Sequence, residues 1–319
     1  MPVRFTSPSL AGIGNPELQA HHWQLDVAYR HLGADRWYVG TQVQESSAPF
    51  GKPLFLNINS VDLSVDYGVS DRTALRLTLP FSYGTHSRYY ADGRRHLVST
   101  GGLGDVNMIL SHWLLDFSLH PKGNLSLGIG VKMPTGNNAA TDDFFLADGS
   151  FLQKPVDQSI QLGDGGWGLI MGLQAFRWIS RGLSGYAQGW YLASPKEKTN
   201  VPSPLPGVPL SVPDVYAGRL GVSYMLSPKH GFSLSIGPRI DGIPRRDFIG
   251  GDAGFRRPGY SLYIEPGLTM AGGKGTFTVR VPVLVHKNFE RSLADIQMET
   301  AGGGDLASYL FLTGYSWRF

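Results

Sequence analysis

The stretch from Leu306 to Phe319, LASYLFLTGYSWRF, alternates two kinds of residue. Tyr309, Phe311, Thr313, Tyr315, Trp317 and Phe319 fall on one parity. Ser308, Gly314, Ser316 and Arg318 fall on the other. A period of two is that of a strand whose faces meet different surroundings. Here one face is almost wholly aromatic, with rings at both ends. A soluble sheet would bury that face against a second layer. A strand in a membrane barrel would turn it to lipid, with rings at both interfaces.

The same period recurs upstream. Trp23, Leu25, Val27 and Tyr29 alternate with Gln24, Asp26 and Arg30. Val61 to Tyr67 opposes Asp62, Ser64 and Asp66, and Leu75 to Tyr83 opposes Arg76, Thr78, Pro80 and Ser82. Further strands are expected around 105–114, 125–133, 167–173, 183–193, 216–224, 232–241, 260–268 and 277–286. With the C-terminal stretch they make twelve. The connections alternate in length. Short turns lie near 68–72, 116–123, 179–182, 227–231 and 272–275. Long polar loops lie near 32–57, 84–102, 135–158, 194–213, 242–257 and 288–305. This is the arrangement of bacterial outer-membrane barrels. Tyr67, Tyr224, Phe232, Phe277, Tyr315 and Trp317 would form one aromatic girdle, and Tyr83, Trp167, Tyr216, Tyr260 and Tyr309 the other. The expected fold is therefore all-β: a transmembrane antiparallel β-barrel of about twelve strands, with short periplasmic turns and long extracellular loops. It would span residues 20–319, after an arm or plug segment at 1–19.

Composition agrees. The chain of 319 residues carries 42 glycines and 21 prolines, and aromatics make up 12% of it, which suits strands and turns. It has no cysteine, which excludes disulfides, thiolate metal sites and cysteine nucleophiles. Mean hydropathy is −0.11. The longest apolar runs fall far short of the roughly 20 residues a membrane helix needs, whereas a barrel strand needs about 9–11 with every second one apolar. A net charge of +3 makes no case for nucleic acid. The opening Met1–Phe5 lacks the charged-then-apolar pattern of a secretory leader. Location in the outer membrane of a Gram-negative envelope then implies that a leader has been removed.

Several stretches resemble a known group. They are "LRLTLPFSYG" from Leu75, "GGLGDVNMIL" from Gly101, "LGIGVKMPTG" from Leu127, "GDGGWGLIMGLQ" from Gly163, "VRVPVLVHKNFERS" from Val279 and "YLFLTGYSWRF" from Tyr309. Together they resemble outer-membrane barrels grouped as "transporter" or meta-pathway phenol-degradation proteins. The resemblance implies a porin-like barrel and uptake of small, often aromatic, compounds. The ending Gly314–Phe319 also resembles the terminal signal read by the barrel-insertion machinery. Tyr315, Trp317 and Phe319 would carry it. Further partners would be outer-membrane lipid, lipopolysaccharide and a small solute.

Strand phase turns Arg30, Arg76, Lys132, Arg219, Arg239, Glu265 and Arg280 inward, with Asp26, Asp62, Asp66, Asp241 and Arg318. A charge on the lipid face would cost roughly 2–4 kcal/mol at the midplane, so the phase is enforced. These residues are the expected lumen lining. One reading is a slightly basic path that modestly prefers anions; the other is a salt-bridged filling that closes the barrel. Inward glycines, among them Gly128, Gly130, Gly168, Gly172 and Gly221, favour open space, ease curvature or make room for residues 1–19. Pro80, Pro134 and Pro282 mark either a local opening of the wall or ordinary rim bulges. Asp105, Asp164, Asp214 and Asp305 begin down-going strands. They would cap turns, or as a ring bind divalent ions. The histidines lie on different strands with no paired nucleophile motif, and the glycine strings lack the lysine of a phosphate loop. The expectation is a non-enzyme without cofactor or bound metal. It is an uptake channel for small solutes, aromatic or apolar compounds among them, or alternatively a closed scaffold that presents its loops to a partner.

Overall fold

A computed structural model describes residues 18–44, 54–199, 201–305 and 307–319. Apart from Leu18 and Gln19, the expected arm at 1–19 lies outside the described residues. The barrel strands are β1 (Trp23–Ala34), β2 (Phe55–Ser70), β3 (Thr73–Tyr89), β4 in two pieces (Arg95–Leu103 and Asn107–Trp113), β5 (Gly123–Lys132) and β6 (Gly168–Ser180). They continue as β7 (Leu183–Ala193), β8 (Val215–Ser227), β9 (Phe232–Ile236 and Pro238–Ile243) and β10 (Gly259–Ile264 and Gly267–Gly272). The last two are β11 (Gly275–Arg280 and Val283–Phe289) and β12 (Tyr309–Arg318). Each strand runs antiparallel to its neighbours, and β12 returns to β1 with Gln24 opposite Arg318 and Gly33 opposite Tyr309. Trp23 and Phe319 exchange backbone hydrogen bonds of 3.1 and 3.0 Å at the seam. Closure satisfies the backbone groups that an open edge would leave bare in lipid.

The alternation now has a spatial meaning. Leu25, Val27, Leu63, Leu79, Leu127 and Val222 stand exposed on the outside, and Asp26, Ser64, Thr78, Ser126 and Ser223 are buried inside. A contiguous outer surface of this kind is stable only where lipid covers it. At the short-turn end, β6 and β7 are joined through Arg181 and Gly182. Gly182 has φ +82, a conformation that costs a glycine little.

The structure corrects the expected boundaries in two places. β2 and β3 have 16 and 17 residues, more than the span requires, and the stretch 84–102 is largely strand rather than loop. It pairs β3 with the first piece of β4 up to Tyr89 opposite Arg95. Both faces are polar there because both lie beyond the lipid, so alternation alone misses the extension. In β11 the phase slips after Val285: the β10 pairing shifts register between Leu262 and Tyr263. His286, which strict alternation with Thr278 and Arg280 would turn inward, instead lies beside Tyr260 with ring centroids 5.9 Å apart, while Lys287 is buried. A bulge of one residue exchanges the two faces.

The three singled-out prolines each lie at or beside an interruption of a ladder. β4 breaks between Leu103 and Asn107, opposite Pro80, where the Gly104 N–H donates to the Pro80 carbonyl at 2.7 Å. β5 ends at Lys132, two residues before Pro134, and β11 is interrupted at Val281–Pro282. Without an N–H, proline cannot complete the pairing.

Candidate functional site

The barrel interior is made of two unlike walls and an apolar upper chamber. In the chamber, inward-pointing Leu32, Leu56, Tyr263 and Leu310 meet Val156 and Ile160 from the long loop between β5 and β6. Ile160 also fills the space beside Gly84, where an added Cβ would lie 2.8 Å from it. This long loop thus folds down into the barrel mouth.

The first wall is charged and spans β8–β12 and β1–β3. Arg30 on β1 forks onto Asp62 of β2 through Nε at 3.1 Å and Nη2 at 3.0 Å. Arg76 on β3 bridges Asp66 at 2.6 Å and Asp26 at 2.5 Å. On β8–β11, Glu265 gathers three guanidiniums: Arg219 at 2.9 Å, Arg239 at 3.2 Å and Arg280 at 3.5 Å. Arg239 also forks onto Asp241 at 3.0 Å through both Nε and Nη2, and Arg219 donates to Gln188 Oε1 from Nε and Nη2. These groups are nearly shut off from solvent. Buried charges persist only when paired and hydrogen-bonded, as here.

The second wall is apolar and runs along β4–β7, extending onto the upper ends of β8 and β9. Ile170, Leu192, Val215 and Ile243 form a buried cluster, with Ile109 and Trp190 packed against it. Towards the short-turn end, the Trp113 ring stacks edge-on against Phe117 at 5.4 Å and Phe176 at 5.9 Å. Several of the inward glycines make room for this wall, while a Cβ on Gly172 would meet only the Gly128 backbone, at 3.9 Å. A Cβ on Gly130 would lie 2.7 Å from Ile109, one on Gly168 2.5 Å from Leu192, and one on Gly221 2.7 Å from the Tyr186 hydroxyl.

Where the walls face each other at mid-barrel, a cavity of about 50 Å³ remains. Arg30, Arg219, Arg239 and Arg280 line it, with Trp190 and Leu312 among its apolar neighbours. It holds a group of a few atoms; an aromatic ring occupies a cavity of roughly 150 Å³. A larger cavity of about 850 Å³ opens at the short-turn end beside Phe176, Tyr186 and Asn124, under Leu119 and His120 of the β4–β5 turn.

Of the seven charged residues expected in the lumen, Arg30, Arg219, Arg239 and Arg280 meet at this cavity, with Glu265 between three of them. Two lie elsewhere. Arg76 belongs to the Asp26–Asp66 cluster. Lys132 is fully buried at the β4 break, held by Asp105 at 3.0 Å and Asp164 at 2.5 Å. Arg318 donates to Gln24 at 2.8 Å. Sequence reading missed Trp190, Gln188, Phe176 and Trp113. The alternation Ser184, Tyr186, Gln188, Trp190 was available as a signal, but interleaved Gly185, Ala187 and Gly189 gave no apolar counter-face.

The strand-initial aspartates do not converge. Asp105 and Asp164 hold Lys132; Asp214 accepts from the Ser194 and Phe248 amides; Asp305 accepts from Lys287 and the Arg36 amide. Among the described residues, no group of three or more His, Asp or Glu is arranged to hold a metal. In the loop layer, burial raises Asp157. The charges of His86 and Arg257 and the hydrogen bond from the Ser159 amide more than offset it, leaving the carboxyl at about 2.

The chain overlays an outer-membrane channel from Pseudomonas putida F1 with a TM-score of 0.65 and 15% identity, over 99% of this chain and 100% of that one. At that identity the likeness is one of fold, and it agrees with the barrel implied by the sequence motifs. Looser overlays, too distant to carry an argument, are with the β-domain of the Bordetella autotransporter BrkA (TM-score 0.48, 12% identity, 94% of this chain and 100% of that one) and the Pseudomonas putida toluene transporter TodX (0.44, 8%, 93% and 90%). No protein-family model matches the chain, and no curated protein matches it.

Proposed function

We propose that this protein is an outer-membrane uptake barrel for small apolar compounds, aromatic ones among them, with a lumen closed at rest by the arginine–carboxylate network. The apolar inner wall carries this reading. A water-filled porin has a polar interior, whereas here Ile109, Ile170, Trp190 and Leu192 form an apolar patch inside the barrel, with a second apolar cluster in the upper chamber and Phe176 beside the lower cavity. The fold shared with an outer-membrane channel supports the same location. Tyr315, Trp317 and Phe319 serve as the assembly signal. Catalysis has no part in this reading.

The competing reading is a closed scaffold that displays its loops. The 50 Å³ constriction favours it. One experiment separates the two: uptake of radiolabelled phenol by Gram-negative cells making the barrel, against cells carrying an empty vector. Faster uptake at equal surface expression supports the channel. Equal rates support the scaffold.

A further inference from the structure

The mid-barrel cavity has a chemistry that uptake of neutral compounds does not use. Four guanidiniums reach it from β1, β8, β9 and β11. Three of them share the Glu265 carboxylate, so the site already displays the geometry in which a carboxylate is held there. Guanidinium and carboxylate match as forks, and the match is stronger where water is excluded. The cavity is of carboxylate size and too small for a ring. Beside it stand the Trp190 ring and Leu312, and beyond Trp190 the apolar wall.

We propose that this cavity is a selectivity site for amphipathic monocarboxylates. The carboxylate of the solute enters among Arg30, Arg219 and Arg280, and its ring or short chain lies along Trp190 and the β4–β7 wall. The inference rests on the uptake reading and names the solute class. The incoming anion competes with Glu265 for the same guanidiniums. Its arrival therefore loosens these ion pairs, whereas a neutral solute of the same shape passes along the apolar wall and leaves them intact. Lys132 takes no part, being held apart by Asp105 and Asp164.

The test is titration calorimetry on the purified full chain in neutral detergent at pH 7.5, with benzoate and its neutral isostere benzamide as probes. Benzoate should bind at least tenfold more tightly than benzamide, and the preference should shrink as salt rises. Arg280→Gln should reduce the benzoate-to-benzamide ratio about tenfold, and Arg280→Lys should restore part of it. Heat-modifiable gel migration confirms that each variant is folded. Should Arg280→Gln not fold, Thr278→Glu, which places a carboxylate in the same cavity, should lower the ratio in its stead. Equal affinities in the wild type, or a ratio unmoved by a folded variant, overturn the carboxylate site. If phenol uptake persists in that case, the uptake reading survives. If neither probe binds and phenol uptake is also absent, both fail.

Discussion

The two inner walls of this barrel solve one problem in opposite ways. Both must fill space inside a closed ring of strands. On β8–β12 and β1–β3 the filling is charge: Arg30 with Asp62, Arg76 with Asp26 and Asp66, and three arginines around Glu265. On β4–β7 it is apolar bulk set into glycine hollows: Ile109 over Gly130, Leu192 over Gly168, Tyr186 over Gly221. The charged wall is stiff, because each group is held by partners that cannot be given up singly without leaving a buried charge exposed to low dielectric. The apolar wall has no such obligations and can part along any contact. Under the proposed uptake function, a solute would move along the yielding wall and meet the charges on one side only.

The largest effect is expected at Glu265. Glu265→Ala leaves three buried guanidiniums without their common carboxylate, and removing one partner of a buried pair costs about 3–5 kcal/mol. Urea unfolding in lipid vesicles, followed by tryptophan fluorescence, should show that loss. A change below ~1 kcal/mol would mean the charged wall is not what holds the lumen shut. A smaller effect belongs to the loops above. The Asp157 carboxyl sits at about 2 in the folded protein, against an ordinary 3.8. A depressed carboxylate stabilises the fold above its unfolded value and ceases to do so as pH falls from about 4 towards 2. Its contribution is about 2 kcal/mol, at 1.36 kcal/mol per unit. Loop amides near Val156 and Ile160 should lose hydrogen-exchange protection over that window, and Asp157→Asn should abolish the pH dependence. The smallest stability effect is expected on the apolar wall. Phe176→Leu keeps apolar area but loses the ring contacts with Trp113 and Phe117, a matter of about 1 kcal/mol. Phenol uptake should nonetheless fall several-fold. Unchanged uptake would take Phe176 out of the path.

The barrel itself was legible because the lipid boundary imposes one rule on every strand. Leu183–Ala193, with the faintest pattern, emerged with the expected ends because turn spacing bracketed it. The inward phase of Arg219, Arg239, Arg280 and Glu265 was legible for the same reason. Their convergence was not. Which inward residues meet depends on how far each strand is staggered and where it is interrupted, as at Gly237 and Pro266, and alternation carries no such information. The apolar wall was hidden more deeply. Inward Trp113 and Ile109 interrupt the polar face that strict alternation requires in β4, so the pattern does not mark them as an apolar wall. The extension of β3 to Tyr89 was lost where lipid no longer sorts the faces.

The most direct test of the two-wall arrangement is photolabelling of the purified barrel with a small neutral aryl azide, followed by peptide mapping. Label should concentrate on residues 107–117 and 168–193, with Trp113, Phe176 and Trp190 as the principal sites, and excess phenol should suppress it. Label confined to the extracellular loops, or lying mainly on β1–β3, would contradict passage along the apolar wall.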